Sequence, residues 1–366
     1  VTCFGGNNGE VDAIASGGTG ALEYSIDGIN YFASGNFTGL TAGDYTMYVR
    51  DINGCILTQD FTVGQPPALF FTTRTKTDIT CNGLSDGTIT LVASGGTAPY
   101  NYSITGGAPF GNATGLFTGL GGGTYTPAVQ DANGCITIGE DLTIIEPAPL
   151  SVGSQTATDI TCFGANDGTI SVTGSGGTAP LTYSLLDAGS NVLATNGTGT
   201  FTNLSAGTYT VEINDANSCG PIVAGPFTIV EPAQLTFTYT TVDLVCNGDG
   251  NGEINVTASG GTPPYEYSFD GGSTWQALSL KTGLSGGIYN VVVRDANLCT
   301  TSQDVTINEP APIILNVTTT NISCNGLSDG QINVTVTGGV APIQYRINGG
   351  AWQGTGLFTG LAANNY

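Results

Sequence analysis

The stretch "LSAGTYTVEINDANSC" (residues 204–219) holds a strand between two turns. Tyr209, Val211 and Ile213 alternate with polar residues, the period of a strand with one buried face. Downstream, "DANSC" reads as the turn of a β-hairpin. Asp suits the first position because its carboxylate caps backbone N–H groups, and Asn and small residues tolerate positive φ. The same five-residue phrase stands at 51–55 ("DINGC"), 131–135 ("DANGC") and 295–299 ("DANLC"). It lacks the C-x-x-C spacing and the nearby bases that lower a thiol pKa, so it is read as a hairpin and not as a redox motif.

Working outward, the whole chain is a repeat. Cys3, Cys81, Cys162, Cys246 and Cys324 each open a similar unit, at intervals of 78, 81, 84 and 78 residues. An Asx-Gly or Asn-Gly step follows ("NNGEV", "SDGTI", "NDGTI", "GNGEI", "SDGQI"), then a double glycine ("SGGTAPY" at 94–100), then a Tyr-Ser or Tyr-Arg strand. The unit continues through "FTGL" or its variants to a tyrosine at 45, 125, 209, 289 or 366. In four copies a second cysteine lies ten residues beyond that tyrosine. Turn signals every 8–12 residues and no sustained helical stripe predict about seven short strands per unit, a β-sandwich. The Leu-x-x-Gly-x-Tyr run resembles the tyrosine corner of immunoglobulin-like sandwiches, which makes Tyr45, Tyr125, Tyr209 and Tyr289 structural pins.

The expected fold is therefore all-β: a linear tandem array of immunoglobulin-like β-sandwich repeats of about 80 residues each. Boundaries are placed at "QPP" (65–67) and at the Glu-Pro steps 146–147, 231–232 and 309–310. They give a partial repeat 1–65 lacking its first strand, complete repeats 66–146, 147–231 and 232–309, and a partial repeat 310–366 lacking its last strands. No Gly/Ser linker separates the units, and proline restrains both itself and the residue before it, so a stiff rod is expected.

Composition narrows the function. Twenty-eight acids stand against six bases, a net charge of -22. That disfavours nucleic acid and anionic membranes, which need clustered Lys or Arg. No apolar run reaches the length of a membrane span. There is no histidine, the commonest general base and transition-metal ligand, and no unit repeats a pair of acids suited to a cleft. The chain is expected to be non-enzymatic.

The combined pattern of Thr/Ser-Cys, Asx-Gly, Gly-Gly-x-x-Pro-Tyr, Leu-x-x-Gly-x-Tyr, Asp-Ala-Asn-x-Cys and Glu-Pro resembles the SprB repeat over the whole chain. Such repeats occur in very large surface adhesins of Bacteroidota, best known from gliding motility. The resemblance implies an exported protein on the bacterial cell surface, delivered by the type IX system and moved by the gliding machinery. External surfaces or polysaccharide would be its partners, met by the whole array or a distal region, with lateral self-association also open. An array of carbohydrate-binding modules and a self-assembling extracellular filament are the alternative readings.

In an exported protein the cysteines read as one disulfide per repeat: Cys3/Cys55, Cys81/Cys135, Cys162/Cys219 and Cys246/Cys299, with Cys324 left over. The rival pairing runs across junctions, Cys55/Cys81 and Cys135/Cys162. In-repeat pairing requires the "ITC" segment to bend back, because the end of the first strand and the start of the last lie at opposite ends of a simple sandwich. The hairpin aspartates and linker glutamates suggest a calcium site at each junction, with Asp215/Glu146 and Asp295/Glu231 as its candidate ligands; otherwise no cofactor is expected. The aromatics Tyr31, Phe110, Trp275 and Trp352 share one register and are read as caps on the end of the sandwich core.

Overall fold

The computed structural model describes residues 1–366, and every regular element in it is a strand. The third repeat shows the plan in full. One sheet joins Ser151–Thr158, Gly168–Ser175 and Thr200–Leu204; the other joins Val192–Asn196, Thr182–Asp187, Gly207–Asn214 and Ile222–Ile229. All pairings are antiparallel. This is an immunoglobulin-like sandwich, and the chain repeats it in tandem.

The alternation in 204–219 does what its period implies. Tyr209, Val211 and Ile213 are buried at 7%, 0% and 0% exposure, while Thr210 and Glu212 look outward. They join Ile170, Val172, Leu185 and Phe201 in one core of twelve buried residues. The second and fourth repeats hold separate cores, around Ile89 and Leu91 and around Ile254 and Val291. No core crosses a junction.

Two local departures from the common plan have visible causes. The third repeat carries the extra strand Val192–Asn196 because its sequence is longer after Tyr183, enough to turn back through residues 188–191 and pair with Thr182–Asp187. The other complete repeats have no such strand. In the second repeat the strand that carries the tyrosine is split into Gly123–Tyr125 and Ala128–Gln130. Pro127 stands at the break. It has no N–H to give the ladder, and its counterparts Met47, Val211 and Val291 do.

The array is extended. Its accessible surface is 20388 Å². A compact monomer of 37.0 kDa would expose about 13,600 Å² by the usual scaling. Only 52 of 366 residues are buried, so each unit relies on a small core of its own.

Truncating that core should be costly. Ile170→Ala is expected to destabilise the third repeat by about 2–5 kcal/mol. Thr156→Ala, on the solvent side of the neighbouring strand, should change it by less than about 0.5 kcal/mol. Urea dependence of hydrogen exchange at residues 168–175 measures both. Equal effects would mean that the two faces had been assigned wrongly.

Candidate functional site

The sequence phrase that recurs most faithfully builds the contact between repeats. In each hairpin the Asp carbonyl accepts the N–H of the fourth residue of the phrase, at 2.9–3.0 Å. That residue is Gly54, Gly134, Ser218 or Leu298, and all four have positive φ. The Asp carboxylate then closes the loop. In the third repeat its Oδ1 accepts from Asn217 N (3.0 Å) and Cys219 N (2.8 Å), and its Oδ2 from Thr178 N (2.8 Å). Asp131 and Asp295 have the equivalent three donors. Burial raises the pKa of Asp215, but the three amide bonds outweigh it and hold the carboxyl below its ordinary value. Asp51 is lowered as well, first by the Cys55 amide.

The double glycine explains why the loop can close. Gly176 has φ +78°, and a Cβ there would lie 2.0 Å from the Pro149 carbonyl oxygen. Gly177 has φ +60°, and its Cβ would fall 2.9 Å from the Asp215 side chain. Only glycine lets the linker backbone and the hairpin aspartate approach the same turn. The Gly177 amide then donates to Ala148 O at 2.8 Å. Each hairpin is thereby fixed against the linker that precedes its repeat.

The first cysteine of each unit lies at the other end. Ile79 N donates to Ile145 O, and Ile145 N to Asp78 Oδ1, so "TDITC" runs beside the end of the last strand. The turn after Cys81 is held by the linker glutamate: Glu146 Oε1 accepts from Gly83 N (2.7 Å) and Asn82 Nδ2 (3.1 Å). Glu231 and Glu309 do the same for Gly164 and Gly248.

These placements overturn the expected disulfides. The bonds are Cys3–Cys135, Cys81–Cys219 and Cys162–Cys299, with Cα separations of 5.6–5.7 Å. Neither Cys3/Cys55, Cys81/Cys135, Cys162/Cys219 and Cys246/Cys299 nor the rival pairing is formed. The reason is distance. Within a repeat the last strand separates the two cysteines, and eight strand residues span about 26 Å. The hairpin that reaches the first cysteine belongs to the next repeat. The one-repeat offset leaves Cys55, Cys246 and Cys324 free and exposed.

Polar contacts reinforce each bridge. Asn133, Asn217 and Asn297 donate through Nδ2 to the carbonyls of Thr2, Thr80 and Thr161 in the preceding repeat, at 2.8–3.0 Å. The asparagine of "DAN" is thus half of a clasp, a role that its turn preference alone did not disclose.

The tyrosines act as pins. Tyr45, Tyr125, Tyr209 and Tyr289 each donate through the hydroxyl to the carbonyl four residues earlier, at 2.9–3.0 Å. The oxygens offered to calcium have other work: Glu146 and Glu231 receive the Gly83 and Gly164 amides, and Asp215 and Asp295 three amides each. Gln65 occupies the glutamate position in the first linker and accepts the Gly5 amide in the same way, at 2.7 Å. A neutral acceptor therefore suffices. No group of three or more His, Cys, Asp or Glu side chains is placed to hold a metal. The aromatics also differ from expectation. Tyr31, Trp275 and Trp352 lie outside the core clusters, each beneath a guanidinium, from Arg50, Arg294 and Arg346, at 3.9–4.3 Å. Arg50 and Arg294 are held in turn by Glu23 and Glu266 at 2.7 Å.

Non-reducing peptide mapping of the oxidised chain should recover linked peptides holding Cys81 with Cys219 and Cys162 with Cys299. Peptides linking Cys81 to Cys135 would restore in-repeat pairing and remove the clasp.

The SprB repeat model matches the chain five times, at residues 1–30, 73–109, 154–190, 238–274 and 316–351. Among solved structures the chain is similar to the N-terminal eight Ig domains of the Down syndrome cell adhesion molecule, with 13% identity, 94% of this chain covered and a TM-score of 0.32. It spans about half of that protein's length, 51%. It is also similar to three N-terminal domains of the Hoc outer capsid protein of bacteriophage RB49. There the identity is 18%, with 52% of this chain and 69% of the other covered, at a TM-score of 0.28. A third likeness is to extracellular domains 3–5 of Drosophila OTK, at 14% identity, 65% and 97% coverage and a TM-score of 0.23. No curated protein sequence matches the chain. Five matches in register with the five repeat units and their cysteines identify the chain as a tandem array of the SprB-repeat family.

Proposed function

We propose that this array is a non-enzymatic stalk of a bacterial surface adhesin of the gliding-motility type, holding an adhesive region away from the cell and passing force along itself. The observation that carries the reading is the clasp: each pair of adjacent complete repeats is joined by a disulfide and by an Asn-to-carbonyl bond from the same hairpin. Independent modules could be stabilised by bonds within each repeat; bonds across the junctions also hold neighbours in a fixed relation. Disulfides fit an extracellular setting, and the repeat family supports the cell surface. Type IX export, the gliding motor, and polysaccharide or solid surfaces as partners follow from the family resemblance. We assign the linker carboxylates to amide capping and not to calcium.

The glycan-module reading has one feature in its favour, a cleft of about 200 Å³ lined by Trp275, Asp270, Lys281 and Tyr289. One face of Trp275 is already covered by Arg294, 4.0 Å from the ring centroid. Sugar stacking there would have to use the other face or displace the arginine.

Two measurements on the oxidised chain decide between these readings. Small-angle scattering should give a radius of gyration about twice the ~21 Å of a compact chain of this length. A value near 21 Å would end the stalk reading. On a glycan array the chain should show no saturable binding; saturable binding that Trp275→Ala abolishes would install the module reading instead.

A further inference from the structure

We infer that the staggered disulfides form a covalent bypass, which carries tension past the core strands of each repeat and limits how far the array can be stretched. The inference deepens the stalk reading and rests on the same cross-junction bonds; the radius of gyration, which reads shape and not connectivity, tests that reading separately.

The argument starts from which residues lie between bonded cysteines. Entering at Cys3, a pull crosses to Cys135 through the first disulfide. It then follows residues 135–162 and crosses to Cys299 through the third. That polypeptide segment has only 27 residue steps. It consists of the last strand of the second repeat, the Glu146-Pro147 step and the first strand of the third repeat, Ser151–Thr158. The second disulfide starts a parallel track: residues 55–81 lead to Cys81, which is bonded to Cys219, and residues 219–246 continue it. Each track is made of the same kind of segment, a last strand, a linker and a first strand. The two tracks alternate along the array.

The segments that both tracks skip are the inner parts of the repeats. Residues 82–134 and 163–218 hold most of the cores, including Ile89, Leu91, Tyr102 and Val129 in one and Ile170, Val172, Leu185 and Val211 in the other. When noncovalent contacts give way, the covalent path tightens before these segments are drawn out. The limit can be sized. Twenty-seven residues extend to at most about 97 Å. Two bridges of 5.7 Å between Cα atoms bring the distance from Cys3 to Cys299 to about 110 Å. Two repeats at about 35–40 Å each already occupy about 70–80 Å of that path. The oxidised array therefore has little length to release, whereas a reduced chain has 296 residue steps between the same two cysteines, about 1,070 Å.

Single-molecule pulling on the full chain from its two ends tests this. The shortest covalent path with the observed bonds has about 96 residue steps: two from Val1 to Cys3, 27 from Cys135 to Cys162 and 67 from Cys299 to Tyr366. That gives a fully extended length of about 350 Å when oxidised. After reduction the 365 steps of the whole chain should yield about 1,300 Å. The double variant Cys162→Ser/Cys299→Ser, which adds no free thiol, should lengthen the oxidised limit to about 740 Å, because the shortest path then crosses from Cys3 to Cys135, runs back to Cys81 and crosses to Cys219, about 203 residue steps. An oxidised length of about 540 Å, the value for four in-repeat bridges, would overturn the inference. So would an oxidised length unchanged by reduction, or a double variant that stays near 350 Å.

Discussion

Each repeat carries its two cysteines at opposite ends of a sandwich about one strand long, and the rest of the array follows from that separation. A cysteine that cannot reach its own partner must be met by a neighbour. The neighbour's hairpin has to arrive at a fixed height and rotation. The aspartate that caps the hairpin, the glycines that admit it and the proline after the linker glutamate all set that arrival. Asp215 accepts amides from its own hairpin and from the loop at Thr178. Glu146 holds the receiving turn at Asn82 and Gly83. Both surfaces are held by hydrogen bonds that do not involve the sulfurs.

The energetic setting makes the arrangement intelligible. Domains of about 80 residues bury little, and here the cores number twelve residues or fewer. Chain-entropy reasoning assigns about 5 kcal/mol to closing a loop of 138 residues. That is comparable with the whole stability of a small domain. Because the bond spans two units, it ties the stability of each to the other. Surface ion pairs add little to this balance. Arg50 and Arg294 act instead through their flat faces on Tyr31 and Trp275.

Much of this was legible in the sequence because period-two alternation and Asx-Gly turns are local signals. The strands, the hairpins at Asp51, Asp131, Asp215 and Asp295, and the tyrosine register could all be read that way. The disulfide partners could not, since a cysteine's neighbours depend on how two sandwiches stack. One clue was present: the first and last strands place their cysteines at opposite ends, which already disfavoured Cys81 with Cys135. A second clue was Gln65, whose neutral amide stands where other linkers have glutamate. It marks the position as a hydrogen-bond acceptor and weakens a reading as a calcium ligand. Arg50, Arg294 and Arg346 occur in the repeats that carry Tyr31, Trp275 and Trp352, but which ring each one covers depends on how the strands pair.

The offset of the bridges also sets a timetable. As the chain is made from its N-terminus, Cys81 is followed by Cys135 after 54 residues, while its true partner Cys219 appears only after 138. The wrong thiol is thus available first. What keeps the two apart is the finished sandwich, which puts a full strand between them. Oxidation must therefore wait for folding: an oxidant that acted on the emerging, unstructured chain would close 54-residue loops and lock each repeat out of the array.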